Sequence, residues 1–527
     1  MSKKLKRQSA APAAPMAVAQ PTPRIAQTRR PVAVARYDSA GNGRRLIGWA
    51  TPDSGPNRAI AGLQNIRNRA RDAGRNEWAA KGARSRWATN LVGTGILARP
   101  KIADTALRAK LIALWDDWSE ECDADGVLDL YGLQALVARN WIEAGEVFVR
   151  LRPRRLEDGL AAPLQLQVLE AEMVPLLDTD SAPGLAPGHS IRSGIEFDAI
   201  GRRAAYWFHR NHPGDATTTS IGTADLACVP ADQVLHIYEP ERPGQLRGVS
   251  EFAAILPKLR GIGNYDDAVL HRQEIANLFT FFVTRPPEGA TPTPDPLSGG
   301  LVETGPDGVP IAPLEPGTGQ ELAPGEDVKF SSPPDAGTNY GDYMRNQHQY
   351  VAAGSGIPYE LLTGDLRDVS DRALRVILLE FRRHCQQRQW HILIPQLCRK
   401  IRRAWAKSAW LAGRLTQAEF RHALQVEWAP QGWDYLHPVQ DVDARIKEVR
   451  AGLKTRSAAI LEKGDDPWAV EAEMAADNAR ADALGLKLES DPRANGNCMH
   501  EDVSPSARSS SIEKGVRISS ATRTYDQ

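Results

Sequence analysis

Cysteine is scarce in this 527-residue chain, and the few present form no pattern. Cys122, Cys228, Cys385, Cys398 and Cys498 are odd in number, widely scattered and without a C-x-x-C pair. That excludes a disulfide framework and a zinc ribbon, and it suits a reducing compartment. Long apolar runs are missing as well. No stretch approaches the ~18 uninterrupted apolar residues of a membrane span, and the basic N-terminus leads into an Ala/Pro stretch too broken for a signal-peptide core. A soluble, cytoplasmic product is expected. Net charge is absent too, since 65 Lys+Arg balance 65 Asp+Glu. A protein that coats nucleic acid would be strongly basic. A surface past which DNA must slide stays possible, because many phosphate contacts would make DNA stick.

Catalytic signatures are also lacking. No G-x-x-x-x-G-K-[ST], H-E-x-x-H or G-x-S-x-G occurs, and no Cys/His arrangement can be assembled. No catalytic residue, metal ligand or cofactor is therefore assigned. Gly93-Thr-Gly95-Ile-Leu-Ala98 matches G-x-G-x-x-A, but that fingerprint needs a strand before it and a helix after it. Here a helical segment precedes and Arg99-Pro100 follows. Asp123 and Asp125 lack the later ligands of a calcium loop and read as a turn. His209 and His212 lie beside Pro213-Gly214 with no Cys or His cluster adjoining, so they too read as turn residues. His384, His391 and Cys398 are spaced by seven, roughly 10 Å of helical rise, too far for one metal to touch all three.

The 42% hydrophobic and 25% charged content is that of an ordinary globular protein. Residues 1 to about 45 carry many Lys and Arg against a single Asp38 and few large hydrophobes, which predicts a disordered arm. Residues 57 to 90 read as basic helix. Asp104 can cap a helix whose Leu107, Leu111, Leu114, Trp115 and Trp118 form one stripe, and a second helix over 128–143 leads into a strand at 145–150. Residues 164 to 245 read as mainly β, with strand candidates at 164–169, 194–197, 204–208 and 233–238. The chain turns helical from Val249, with a long helix from about Asn264 to Val283. Residues 286 to 336 are rich in Pro and Gly and strongly acidic, which fits pairs of short strands that repel phosphate and suit a basic protein partner.

Asp342 to Trp410 is the organising stretch. It reads as a helix ending at Ala353-Gly354, an extended loop to Asp368, and a long helix opening near Ser370. Leu374, Leu378, Phe381 and Cys385 give that helix an apolar stripe. Arg372, Arg375, Arg382, Arg383, Arg388, Arg399, Lys400, Arg402 and Arg403 fall on its opposite face. Continuous to about Lys407 it would reach about 50 Å, with a kink or break expected at Pro395. Residues 415 to 490 supply further helices, and the last 37 or so read as a flexible tail.

The order of certain segments is informative. Leu114-Trp-Asp-Asp-Trp118, Gly145-Glu146-Val-Phe, Gly194-Ile-Glu-Phe-Asp198, Val229-Pro-Ala-Asp-Gln-Val-Leu-His-Ile237 and Arg242-Pro-Gly-Gln-Leu-Arg-Gly-Val-Ser250 occur in sequence. Ala353-Gly-Ser-Gly-Ile-Pro-Tyr-Glu-Leu-Leu-Thr-Gly364, Gly452-Leu-Lys-Thr455 and Ala483-Leu484-Gly485-Leu486 follow. Over about residues 45 to 490 this order resembles the lambda-type family of tailed-phage portal proteins. Such members tend to carry a Ser-Ser-x-Arg-like run where this chain has Val369-Ser370-Asp371-Arg372.

The resemblance implies an α+β portal-type subunit with wing, helical stem, small β-containing clip and helical crown, assembling into a ring of usually twelve copies. Its regions would be a basic arm (1–45), wing (46–258), stem helix (259–285), clip (286–336) and second stem helix (337–353). A tunnel loop (354–370), long wing helix (371–414), wing and crown helices (415–490) and a tail (491–527) complete it. The ring would sit at one vertex of a capsid in the virion, assembled in the host cytoplasm, and pass double-stranded DNA without sequence preference. Implied partners are the terminase large subunit, a head–tail adaptor and the major capsid or scaffold protein, with no membrane. The terminase would supply the ATPase, consistent with the missing P-loop. Arg367, Arg372 and Arg375 are the DNA-channel candidates, and arginines after 382 would serve subunit packing or the outer wing. Glu303, Asp307, Glu315, Glu321, Glu326 and Asp327 are the partner-docking clip candidates. The alternatives are a DNA-processing enzyme (nuclease or packaging ATPase) and a head–tail adaptor or capsid component without a channel.

Overall fold

Two helices that meet through alanines open the described chain. The computed structural model describes residues 55–58, 62–215, 225–278, 282–284, 320–322, 339–433 and 437–486, all within the second of two compact units, which begins at Gly55. Helices α1 (Leu63–Asn76) and α2 (Trp78–Leu91) bury Ala70, Ala73, Ala79, Ala80, Ala83 and Ala88, small side chains that let backbones approach. Strand β1 (Leu97–Pro100) follows, so the G-x-G-x-x-A run joins a helix to a strand, the reverse of the phosphate-binding order. Helix α3 (Thr105–Glu121) is capped by the Asp104 carboxylate, which accepts from the Ala106 and Leu107 N–H groups at 2.9 and 3.1 Å. Asp123 accepts from the N–H groups of Asp125, Val127 and Leu128, as a turn residue does.

Helix α4 (Leu130–Ala144) ends at Gly145, whose φ of +88° is left-handed. A Cβ there would lie 2.2 Å from the Val249 carbonyl carbon, so both conformation and space demand glycine. Strand β2 (Glu146–Pro153) is the centre of an antiparallel sheet, flanked by β3 (Leu164–Leu169) and, later in the chain, β8 (Val234–Tyr238). Between them β4 (Ser190–Arg192), β5 (Ile195–Phe197), β6 (Arg203–Phe208) and β7 (Ala227–Pro230) form a four-stranded antiparallel meander. Phe148 from the first sheet packs among Phe197, Tyr206 and Phe208 of the second, a small core of its own.

Helix α5 (Leu256–Leu278) lies within the stretch expected to turn helical from Val249, its long helix starting before Asn264, and from Arg260 to Glu274 none of its side chains is buried. Phe282–Thr284 was expected as helix. It is strand β9, paired in parallel with β10 (Gln320–Leu322). Aromatic and β-branched Phe282, Val283 and Thr284 favour a pleated backbone once a partner strand is present.

Helix α6 (Tyr340–Ser355) leads to a connection that is not fully extended, because α7 (Tyr359–Thr363) forms a turn and a half inside it. Pro358 supplies the entry φ and Gly364, at φ +76°, the exit. Helix α8 (Asp371–Arg388) is capped by Ser370. Of the kink or break expected at Pro395, the break does not occur. Gln389–Cys398 is a π-helical stretch, and Arg399 N–H bonds to Ile394 O five residues back. The widened turn absorbs the missing donor and the ring of Pro395 without ending the helix. The chain continues as α9 (Arg399–Leu411).

The expected basic face of this long helix is divided. Arg388 and Arg402 are buried inside the subunit, against expectation. Arg388 sits 4.4 Å from the Trp87 ring centre and pairs with Glu239 and Glu251. Arg402 lies 4.4 and 4.2 Å from the rings of Trp115 and Trp405. Flat guanidiniums stack on indoles where an ammonium would stay in water. Trp115, Trp118 and Trp405 themselves cluster, and Trp87 donates to Ser355 O at 2.9 Å, joining the first helices to the last turn of α6.

Beyond α10 (Gln417–Ala423), the region expected to supply further helices also contains strand β11 (Val426–Ala429), antiparallel to β1 with Leu97 opposite Ala429. That pairing spans more than 300 residues and leaves no local trace. Helices α11 (Pro438–Arg450), α12 (Arg456–Leu461) and α13 (Pro467–Ala483) complete the described chain. No helix among the described residues is long and apolar enough to cross a membrane.

Candidate functional site

The α6–α8 connection is built from aspartates and arginines that neutralise one another. Gly356, left-handed at φ +69°, ends α6. Asp365 then gathers the loop. Its carboxylate accepts a two-pronged bond from Arg367 at 2.8 and 2.9 Å and the Tyr359 hydroxyl at 2.9 Å. The Arg367 bonds hold Asp365 well below the usual carboxylate range, and Asp365 in turn raises Arg367. Arg345 reaches across from α6. It donates to Asp368 at 3.0 Å and to the Arg367 carbonyl at 3.0 Å, and its Nε lies 3.6 Å from Asp365. Asp368, which these bonds secure, has a left-handed φ of +64° that Asp tolerates better than most residues.

The three channel candidates therefore differ. Arg367 is exposed but chelated by Asp365. Arg375 pairs with Asp371 one helical turn back at 3.1 Å, and Asp371 also faces His437. Arg372 alone of the three is exposed without an acidic partner among the described residues. The segment is a weak receptor for phosphate, with one guanidinium ready and two preoccupied. Arg345 was not anticipated, and nothing near it in sequence signals its reach to a loop 20 residues on. The backbone of Glu321 lies in β10. The other clip candidates, Glu303, Asp307, Glu315, Glu326 and Asp327, lie outside the described residues, as do the arm and tail.

A second cluster is wholly buried. Glu146, at the start of β2, accepts from Arg67 and Arg247 at 2.6 Å on Oε1. Its Oε2 accepts from His236 at 2.9 Å and from the Gly248 N–H at 2.8 Å. Arg247 also donates to the carbonyls of Ser193, Ala171 and Val174. Burial opposes ionisation of Glu146, yet the Arg247 and Arg67 guanidiniums outweigh it and hold the carboxyl well below its ordinary range. Burial pushes His236 down to about 4 against the pull of Glu146. His236 is thus neutral at pH 7. Its Nδ1 faces Arg203 Nη1 at 3.1 Å, and arginine can only donate, so the proton is on Nε2 and points to Glu146. Three runs noted in the sequence, Gly145-Glu146, His236-Ile237 and Arg242 to Ser250, converge here from separate parts of the chain.

The structure also brings Glu170 and Glu172 to His212, with ligand atoms within 4.8 Å of one another, which a search for neighbouring Cys or His could not reveal. Arg71 stands 3.2 and 3.3 Å from the two carboxylates and also pairs with Glu143. A guanidinium already supplies the positive charge there, so the cluster reads as an ion-pair network. His384 stacks edge-on against Trp87, in keeping with its reading as a helix-face residue.

Residues 42–389 match the family described as phage portal protein, lambda family. A probable portal protein of Halomonas phage phiHAP-1 is 28% identical over 440 residues, covering 80% of this chain and 82% of that protein. Portal protein B of Escherichia phage lambda is 20% identical over 274 residues, 48% of this chain and 51% of that protein. Among solved structures, a chain from the neck of an empty gene transfer agent particle shares 16% identity at a TM-score of 0.40. That alignment covers 80% of this chain and 97% of that one. With the family match running from before α1 into the π-helical stretch, well over half its length, the chain belongs to the lambda family of phage portal proteins.

Proposed function

We propose that the chain is the subunit of a closed ring, of about twelve copies as the family resemblance implies, at one vertex of an icosahedral capsid. Double-stranded DNA passes through its channel during packaging and ejection, and the protein performs no catalysis itself. The family match over residues 42–389 carries this reading. The charge balance of the α6–α8 loop supports it, since a loop that grips few phosphates lets DNA move. Uncovered apolar side chains support the ring. Tyr265 and Leu270 on α5, and Val439, Val442 and Ile446 along α11, are exposed in the single subunit and suit a neighbouring copy.

On this reading residues 46–258 and 371–414 are wing, α5 and α6 are stem helices, and 354–370 is the tunnel loop. The acidic 286–336 is the clip, which docks the terminase large subunit and the head–tail adaptor, and 415–490 include the crown. The major capsid or scaffold protein surrounds the wing. The assembled ring resides in the virion after assembly in the host cytoplasm.

Electron microscopy of the purified protein tests the proposal. Rings with a bore of DNA width are expected. A species monomeric under all conditions overturns it, a ring without such a bore favours an adaptor or capsid component, and metal- or ATP-dependent turnover favours a DNA-processing enzyme. Replacing Glu321, Glu326 and Asp327 with Lys should impair motor or adaptor docking while rings still form, and unchanged packaging would remove the clip assignment.

A further inference from the structure

Arg203, the first residue of β6, carries a guanidinium whose partners are all neutral. Its Nη1 donates to the Tyr206 hydroxyl at 3.2 Å and to His236 Nδ1 at 3.1 Å, and its Nη2 donates to the Tyr238 hydroxyl at 2.9 Å. A guanidinium has five N–H donors. These bonds leave the Nε–H and one Nη2–H without a partner among the described residues, two donors available to an oxyanion. Arg203 Nε is not sealed from solvent, unlike the buried Nε atoms of Arg67 and Arg108. No carboxylate among the described residues pairs with Arg203. The side chain is therefore anchored through Nη1 and Nη2 and unsatisfied at Nε.

That side chain lines a cleft of about 530 Å³ between Tyr238 and the turn 240–246. Arg242, on the same wall, is exposed and has no acidic partner among the described residues. Lys400 stands close by, and burial together with the Arg203 charge lowers its ammonium. The cleft is thus a local surplus of positive charge in a chain with none overall. Pro240, Pro243 and Leu246 give it apolar walls, and Glu241 contributes one negative charge to the lining.

We infer that this cleft is a receptor for a single side-chain carboxylate, flanked by apolar residues, from a partner protein. The apolar walls would flank the methylenes of a Glu, and the free donors of Arg203 would take its carboxylate. Glu241 repels a run of phosphates, so a lone carboxylate fits better than a nucleic-acid backbone. The inference does not depend on the channel reading of the α6–α8 loop.

Saturation-transfer NMR on the full-length protein tests it, with a short peptide bearing one Glu between Pro and Leu, and its Gln counterpart. The Glu peptide should bind at least about tenfold more tightly than the Gln peptide, the scale of a charge-assisted contact. Arg203→Lys keeps the charge but loses the guanidinium donors, and should weaken the Glu peptide by a similar factor. Arg242→Ala, on the exposed wall, should weaken it several-fold and serves as a variant with no bonds into the core. Near-UV circular dichroism verifies that each variant is folded. Equal binding of the two peptides, or undiminished binding by both variants, overturns the inference. So does tighter binding of inorganic phosphate or a short DNA duplex than of the Glu peptide at the same site.

Discussion

Glu146→Gln tests the buried node with the smallest change of shape. Four groups meet its carboxylate: the Arg67 and Arg247 guanidiniums on one oxygen, and the His236 N–H and Gly248 N–H on the other. All four are donors. Glutamine has a single acceptor oxygen, so its amide N–H must point at two guanidiniums or at an imidazole N–H and a backbone N–H. Arg67 and Arg247 are themselves buried and would lose the anion they share. Breaking a buried pair in this way costs about 3–5 kcal/mol. At roughly 1.4 kcal/mol per tenfold, amides of β2 and β8 should exchange about 10²–10³·⁵ times faster in native-state hydrogen exchange. Local exchange suits a 527-residue chain better than a global melting point, which is ill-defined once unfolding is not a single two-state step. A double-mutant cycle with Arg67→Met sharpens the test, because the double variant should lose less than the sum of the single losses. Protection within about threefold of wild type, or strict additivity, would refute the assignment of Glu146 as the charge that holds this region together.

Acid should loosen the same region. His236 has a folded value of about 4 against 6.5 unfolded, so the unfolded chain binds more protons between them. Stability should be full above 6.5 and fall as pH drops toward 4, with Glu146 continuing the loss below 4.5 as its protonation is forced. Exchange of β2 and β8 amides across pH 4–7, corrected for the intrinsic rate, measures it. Arg345→Ala should free the loop 365–370 and speed limited proteolysis there several-fold while leaving α3 and α4 protection unchanged; equal cleavage would mean that Asp365 and Arg367 suffice alone. Arg402 and Arg388 should answer differently to Met. Arg402 donates only its Nε–H, to the Ala423 carbonyl at 2.9 Å, and its Nη atoms have no hydrogen-bond partner, so Arg402→Met should cost about 1 kcal/mol, whereas Arg388→Met strands Glu251 and should cost about 2–3 kcal/mol, both read from native-state hydrogen exchange of the surrounding helix amides.

Most local elements were legible because their signals are local. Asp104 before an apolar stripe and Ser370 before another mark caps that need only the next turn to operate. Alternating residues at 145–150 and 164–169 mark strands for the same reason. What escaped was decided at a distance. Val426–Ala429 is a strand because β1 lies beside it, and Phe282–Thr284 because β10 does. Pro395 reads as a kink or break because its missing donor is local, while the π-helical turn that carries the helix through it also depends on the packing of Leu393, Ile394 and Leu397 in the core.

The arginines carry the same lesson into function. Along the α8–α9 helix their spacing predicts one basic face, yet Arg388 and Arg402 lie under tryptophans while Arg372, Arg383 and Arg403 meet solvent. Charge is read from the letter, but availability is read from the neighbours. An arginine in an ion pair or on an indole offers little to a phosphate, so a count of Lys and Arg overstates how strongly this loop can hold DNA. Asp365, Asp368 and Asp371 make the α6–α8 segment close to neutral at short range, just as the whole chain is neutral at long range. On the proposed channel reading, Arg372 is then the one loop candidate whose removal should alter a DNA contact without first breaking a contact within the subunit. Arg367 and Arg375 would register in loop geometry before they registered in DNA.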